Sequence, residues 1–208
     1  MTEYSKTIDG LTIANEMTFQ AYAEAIELLF AQGKATGNHQ GEDYLEYTKM
    51  NLQRMHRWAK TYTPSNALVE LMGEISMTQH WYVITEGWCG DSAQNLVALE
   101  RIAELSPNVT THYLFRDENP QWIERFHTND AHSIPKLIIV NDQREVIHVW
   151  GPRPAAASVV IEGWKNQGLP LNDWKPLLHK WYADNKQVAL EADFITMIQN
   201  QVSLHATR

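Results

Sequence analysis

Apolar residues recur at spacings of three and four at Tyr22, Ala25, Ile26, Leu29 and Phe30, which predicts a first helix with Asn15 as its cap and Gly33 as its stop. Residues 33–41 carry three glycines and no large apolar side chain, and read as a flexible connection. They are not a phosphate loop, because no strand precedes them and no Gly-Lys-Ser/Thr ends them. A second helix is predicted over 42–61, with Leu45, Thr48, Leu52, Met55 and Ala59 on one stripe. Lys49, Arg54, Arg57 and Lys60 fall off that stripe and read as a solvated face. A third helix fits 65–75, with Leu68, Leu71, Met72 and Ile75 inward.

The period changes after His80. Trp81 to Thr85 is a β-favouring run suited to a strand buried on both faces. A helix follows over 91–105, with Leu96, Leu99, Ile102 and Ala103 on one stripe, then a strand at 109–115. Pro120 opens a short helix over 119–126 at a position where its missing N–H is harmless. Lys136–Val140 and Glu145–Trp150 flank the turn Asn141-Asp142-Gln143 and form a hairpin. Helices return at 155–166 and, after the break Gly168-Leu-Pro170, from 172 to about 201. The order predicts an α/β fold, a mixed sheet with helices on both faces and helical extensions at each end. The expected divisions are an N-terminal helical extension over 1–64, a core over 65–167 and a C-terminal helical extension over 168–208.

Composition narrows the function classes. With 208 residues, 44% of them hydrophobic, the chain fills a core. A formal net charge of −8 argues against nucleic acid or an anionic membrane as partner. No apolar run reaches bilayer length, and the first residues, Met-Thr-Glu-Tyr-Ser-Lys, lack a secretory pattern. A cytoplasmic protein is expected. One cysteine forms neither an internal disulfide nor a cysteine-rich zinc site. Nine histidines show no metal-binding spacing, so no metal is implied; His132, close to Pro135 in sequence, is a candidate proton donor. Acid pairs Glu42-Asp43 and Asp117-Glu118 read as helix-start residues. Trp150, Trp164, Trp174 and Trp181 read as the apolar attachment of the C-terminal helices.

The lone cysteine sits in Trp88-Cys89-Gly90-Asp91-Ser92, between a buried strand and a helix. This stretch resembles the Trp-Cys-Gly-Pro-Cys active site of the thioredoxin superfamily, with Asp91 for proline and Ser92 for the second cysteine. Ser133-Ile134-Pro135-Lys136-Leu137 resembles that family's cis-proline segment, and Gly151 stands where thioredoxins place a glycine after the hairpin. Together these landmarks look closest to little-characterised bacterial thioredoxin-like proteins with a Trp-Cys-Gly-Asp motif. The resemblance spans about 65–167. It implies Cys89 as nucleophile and a cis Ile134–Pro135 bond opposite it, the Ile134 backbone serving as a substrate platform. It also implies that Trp88, Gly90 and Asp91 frame the substrate.

The residues themselves leave two readings of Cys89. At a helix start the free N–H groups and the dipole favour thiolate, and the Ser92 hydroxyl can donate to sulfur. Asp91 and Glu86 oppose the anion, and a buried inert thiol is a common fate of free cysteine. Ser92 cannot release a mixed disulfide as a second thiol would. The buried aspartate that thioredoxins usually carry six residues before the nucleophile is Val83 here. Two functions follow. One is a monothiol protein whose mixed disulfide, formed with a protein disulfide or a glutathione mixed disulfide, an external thiol such as glutathione resolves. The other is a redox-inactive binding or assembly module. No other cofactor is implied. A glutathione-transferase-like arrangement fits poorly, because so much chain precedes the first strand.

Overall fold

The computed structural model describes residues 4–206. Its elements are α1 (Phe19–Ala31), α2 (Glu42–Thr61), α3 (Asn66–Gly73), β1 (Gln79–Thr85), α4 (Gly90–Ala103), β2 (Val109–Phe115), a 3-10 turn (Arg116–Glu118), α5 (Pro120–Arg125), β3 (Lys136–Val140), β4 (Val146–Trp150), α6 (Ala155–Asn166), α7 (Leu171–Asn185) and α8 (Val188–Ala206).

The sheet runs β2-β1-β3-β4, with β1 and β2 parallel and the other neighbours antiparallel. Helix α4 makes the crossover that two parallel strands require. Side-chain alternation on β1 divides the core. Trp81 and Val83 face α1, α2, α3, α4 and α8. Tyr82 and Ile84 face α5 and residues 8–11, meeting Trp122, Phe126, Ile8 and Leu11. Helices therefore cover both faces, in the α/β architecture that the pattern predicts. A third apolar cluster joins α6 to α7 through Ala157, Ile161, Leu178 and Tyr182, flanked by Trp164, Trp174 and Trp181. Trp150 packs on Phe194 and donates to Asp193 at 2.8 Å. No helix among the described residues is long and apolar enough to cross a membrane.

Three local expectations change. Helix α1 opens at Thr18, whose hydroxyl accepts from the Ala21 N–H at 3.2 Å. Asn15 is not the cap, because Met17 exchanges backbone bonds with Tyr113 at 3.1 and 2.8 Å and holds the chain extended there. The buried stripe of α2 is Thr48, Asn51, Met55 and Trp58, rotated from the one that hydropathy marks. Asn51 belongs inside because its amide donates to the Gly87 carbonyl at 3.0 Å. Helix α4 is buried from Ser92 to Leu99, clamped between the sheet and the helices around it, so one apolar stripe does not describe it.

The N-terminal segment straps the sheet from below. Ile8 N–H bonds Arg144 O and Val146 N–H bonds Lys6 O beside β4, whereas Met17 bonds β2. Between them, Trp122 Nε1 donates to Thr12 O and Ala14 N–H to Asn119 Oδ1, both at 2.9 Å.

Candidate functional site

Cys89 is the N-cap of α4, with its own N–H bonded to Glu86 O and its carbonyl accepting from Ala93. The Ile134–Pro135 peptide bond is cis. The Cys89 thiol donates to Ile134 O at 3.2 Å, so sulfur and the proline segment are in contact. Gly151, at φ +108°, lies against the same segment, where an added Cβ would collide with the Pro135 carbonyl oxygen. The residue is only 8% exposed. Burial foremost, then the Asp91 charge, pushes its pKa up to about 11 from 9.0, while hydrogen bonds from Ser92 and the Asp91 N–H pull the other way. The lowered pKa that a helix start suggests is therefore not found; desolvation outweighs the hydrogen bonds that the helix start gives the sulfur.

Ser92 is buried and accepts from Thr85 Oγ1 at 2.8 Å. With that proton spent, Thr85 accepts from Tyr22 OH at 3.3 Å. A directed chain Tyr22 to Thr85 to Ser92 thus leads to the sulfur, each donor polarising the next. Burial raises the Tyr22 pKa and keeps its proton in place.

Asp91 is turned inward. Its Oδ2 takes Arg153 Nη2 at 2.6 Å and Nε at 3.1 Å, and its Oδ1 takes Tyr182 OH at 2.6 Å. The sequence offers it as a substrate contact; in the structure both oxygens hold α7 and the segment after β4 to the start of α4. His132 stands apart, paired with exposed Glu124 at 2.7 Å.

The histidine at the site is His179, on α7. A methyl group on Gly90 would come within 2.8 Å of its ring, so glycine permits the approach. Trp58 Nε1 donates to Gln94 Oε1 at 2.8 Å, which turns the Gln94 amide toward His179 Nδ1 at 3.4 Å. Nδ1 accepts, and the neutral ring carries its proton on Nε2. Burial, with Arg54 and Lys175 nearby, pulls this histidine down to about 4.

Residues 36–39 are part of the site and not a slack connection. Thr36 is buried and accepts from the Gly87 N–H at 2.9 Å; Asn38 N–H bonds Asp117 Oδ2 at 2.7 Å. Trp88 lies against His39 and Tyr44, with Arg116 over its ring at 4.9 Å. Asp117 is thus a tether for this loop, not simply a helix-start acid. Beneath it, Glu86 is fully buried, its Oε1 accepting from the Asp117 N–H at 3.0 Å and the Thr36 hydroxyl also beside its carboxyl. Burial raises Glu86 to about 7.

A carboxyl whose folded pKa lies above its unfolded value binds protons more tightly in the fold. Its contribution is intact below about 4.5 and is lost as pH rises to about 7. His179, held neutral, has the opposite slope between about 4 and 6.5. The difference between wild type and Glu86→Gln isolates the acid: the variant should gain roughly 1–3 kcal/mol relative to wild type between pH 4.5 and 7.5. Urea midpoints across that range check it, and a pH-independent difference refutes it.

Between α2, the Trp88–Gly90 turn and α7 lies a cavity of about 680 Å³. Tyr44, Tyr47, Met50, Trp88 and Pro176 give it apolar walls, Arg54, Lys175 and His179 are its basic groups, and Cys89 forms part of its wall. Arg54 belongs to this cavity and not to a solvated face, because Asn51 Oδ1 accepts its Nη1 at 2.7 Å.

Comparison with known proteins follows the same outline. The family model described as thioredoxin matches residues 37–165 and so takes in α2 as well as the sheet. Among solved structures, a protein of unknown function from Pseudomonas aeruginosa is 18% identical, covering 89% of this chain and 99% of its own, at a TM-score of 0.49. An HIV epitope scaffold is also 18% identical, covering 84% of this chain and 97% of its own, at 0.47. No curated protein matches. With the match extending over more than half of its length, the chain belongs to the thioredoxin family.

Proposed function

We propose that this is a monothiol thioredoxin-fold protein in which Cys89 exchanges with a disulfide admitted to the cavity beside it. The observation that carries the proposal is the sulfur's position, in the cavity wall and 3.2 Å from Ile134 O, beside the cis-proline segment. In the exchange, a bond forms between Cys89 Sγ and one substrate sulfur as the substrate S–S bond breaks. The thiol proton leaves to solvent and the departing sulfur takes one up. Cys89 is oxidised as the departing sulfur is reduced. The Ser92 hydroxyl cannot form the S–S bond that a second thiol would, so an external thiol such as glutathione attacks the mixed disulfide and restores Cys89. A thiol held near 11 is a slow nucleophile at neutral pH, and residence in the cavity supplies what thiolate abundance does not.

The same burial favours a second reading, a binding module with an inert thiol. The two separate on incubating native protein with glutathione disulfide and weighing it intact. An adduct on Cys89, removed by reduced glutathione, supports exchange. If only the urea-unfolded chain forms it, the binding module stands.

A further inference from the structure

The whole chain carries a net charge of −8, yet among the described residues no aspartate or glutamate lines the cavity beside Cys89. Two cations face it instead. Among the described residues neither Arg54 nor Lys175 has a carboxylate partner: Arg54 is held by the neutral Asn51 side chain, and Lys175 rests over the Tyr47 ring at 3.9 Å. His179, uncharged, adds a donor from Nε2, its tautomer set by the chain from Trp58 through Gln94. Arg54 is partly desolvated, so an unpaired charge there is unfavourable until an anion arrives. The remaining walls are mostly aromatic or aliphatic, with the uncharged amides of Asn51 and Asn172 among them. The volume lies within the range of small-molecule sites.

We propose that this cavity binds a small organic disulfide bearing carboxylates, its acid groups held by Arg54, Lys175 and the His179 N–H while its apolar middle lies on Tyr44, Tyr47 and Trp88 against Cys89. The carboxylate site stands on the cavity's own charges; the disulfide in its ligand rests on the exchange reading above. Both extensions then have a use in recognition, since α2 and α7 supply the cations and the core supplies the sulfur.

Two chromogenic disulfides of similar build test this. One is the dianion 5,5′-dithiobis(2-nitrobenzoate); the other is uncharged 4,4′-dithiodipyridine. Each rate with native protein is divided by the rate with the same chain in urea. The native ratio should favour the dianion by about tenfold, and Arg54→Gln or Lys175→Gln should remove most of that preference, with Arg54→Lys retaining part of it. Equal normalised rates, or a preference indifferent to both substitutions, overturn the site while leaving exchange intact. Calorimetric titration of Cys89→Ser with the dianion reads binding without chemistry. Saturable binding weakened by the same substitutions supports the site even if wild type releases no thiolate, an outcome that would sink only the exchange reading. No binding at millimolar probe overturns the site.

Discussion

Iodoacetamide should label Cys89 in the folded protein at least about 100-fold more slowly at pH 7 than in the unfolded chain. Raising a thiol from 9.0 to about 11 leaves roughly one hundredth of the thiolate at any pH below both values. The cover over a sulfur in a residue 8% exposed adds to the effect. The labelling rate should climb with pH without a plateau below about pH 10. Ser92→Ala removes a hydrogen bond that favours the thiolate, and should slow labelling further. A plateau below pH 9 in the wild type would show that the dipole at the start of α4 wins after all. Generic reagents and a cavity ligand would then differ little in rate, and recognition would lose its place in the mechanism.

Asp91→Ala should destabilise the fold by roughly 2–4 kcal/mol, because it strands two donors around a partly buried site. Arg153 would lose both of its bonds to carboxylate, and Tyr182 OH its 2.6 Å acceptor, with Asn95 Nδ2 at 3.2 Å offering no replacement since it too donates. The loss should be uneven. Helix α7 should become cleavable by protease before β1 and β3 do, since Tyr182 and Arg153 link the C-terminal helices to α4 here. Urea unfolding measures the first effect and limited proteolysis with peptide mapping the second. A change below about 0.5 kcal/mol would place Asp91 among surface ion pairs and leave α7 held by its apolar cluster alone.

The legible part of this chain was the part governed by period and local chemistry. Strand β2, helix α2 and helix α6 fall where alternation and helical spacing put them, and the Cys89 and Pro135 segments are found from residue order. The cavity was not legible, because its members lie on three separated elements and each has an ordinary local explanation. Arg54 sits among helical bases; His179 has no metal-like spacing; Asn51 is a polar residue inside a stripe that hydropathy places elsewhere. One signal was available: Asn51 and Thr48 interrupt the apolar faces of α2 where a solvated helix would need no buried amide. The glycine-spaced 33–41 stretch misled for a related reason. Its Thr36 and Asn38 bond to residues far along the chain, and composition reports only local freedom. Sulfur chemistry stayed open by magnitude, since the residues named the favourable dipole, the unfavourable acids and a buried thiol without saying which prevails; burial does.

The strap formed by residues 4–17 bears on the order in which the molecule assembles. Ile8 and Leu11 bury in a cluster whose other members begin at Tyr82, and their segment's backbone partners lie at Tyr113, Arg144 and Val146. A chain made from its N-terminus exposes these apolar residues first and gives them their docking surface only when β4 has been made. Strap closure therefore joins segments far apart in the chain and needs β2 and β4 to dock on. Beside the outer strands the strap adds one isolated bridge at each margin of the sheet, Thr7 to Glu145 and Met17 to Tyr113. A segment outside the chemistry thus ties the two margins of the sheet to each other.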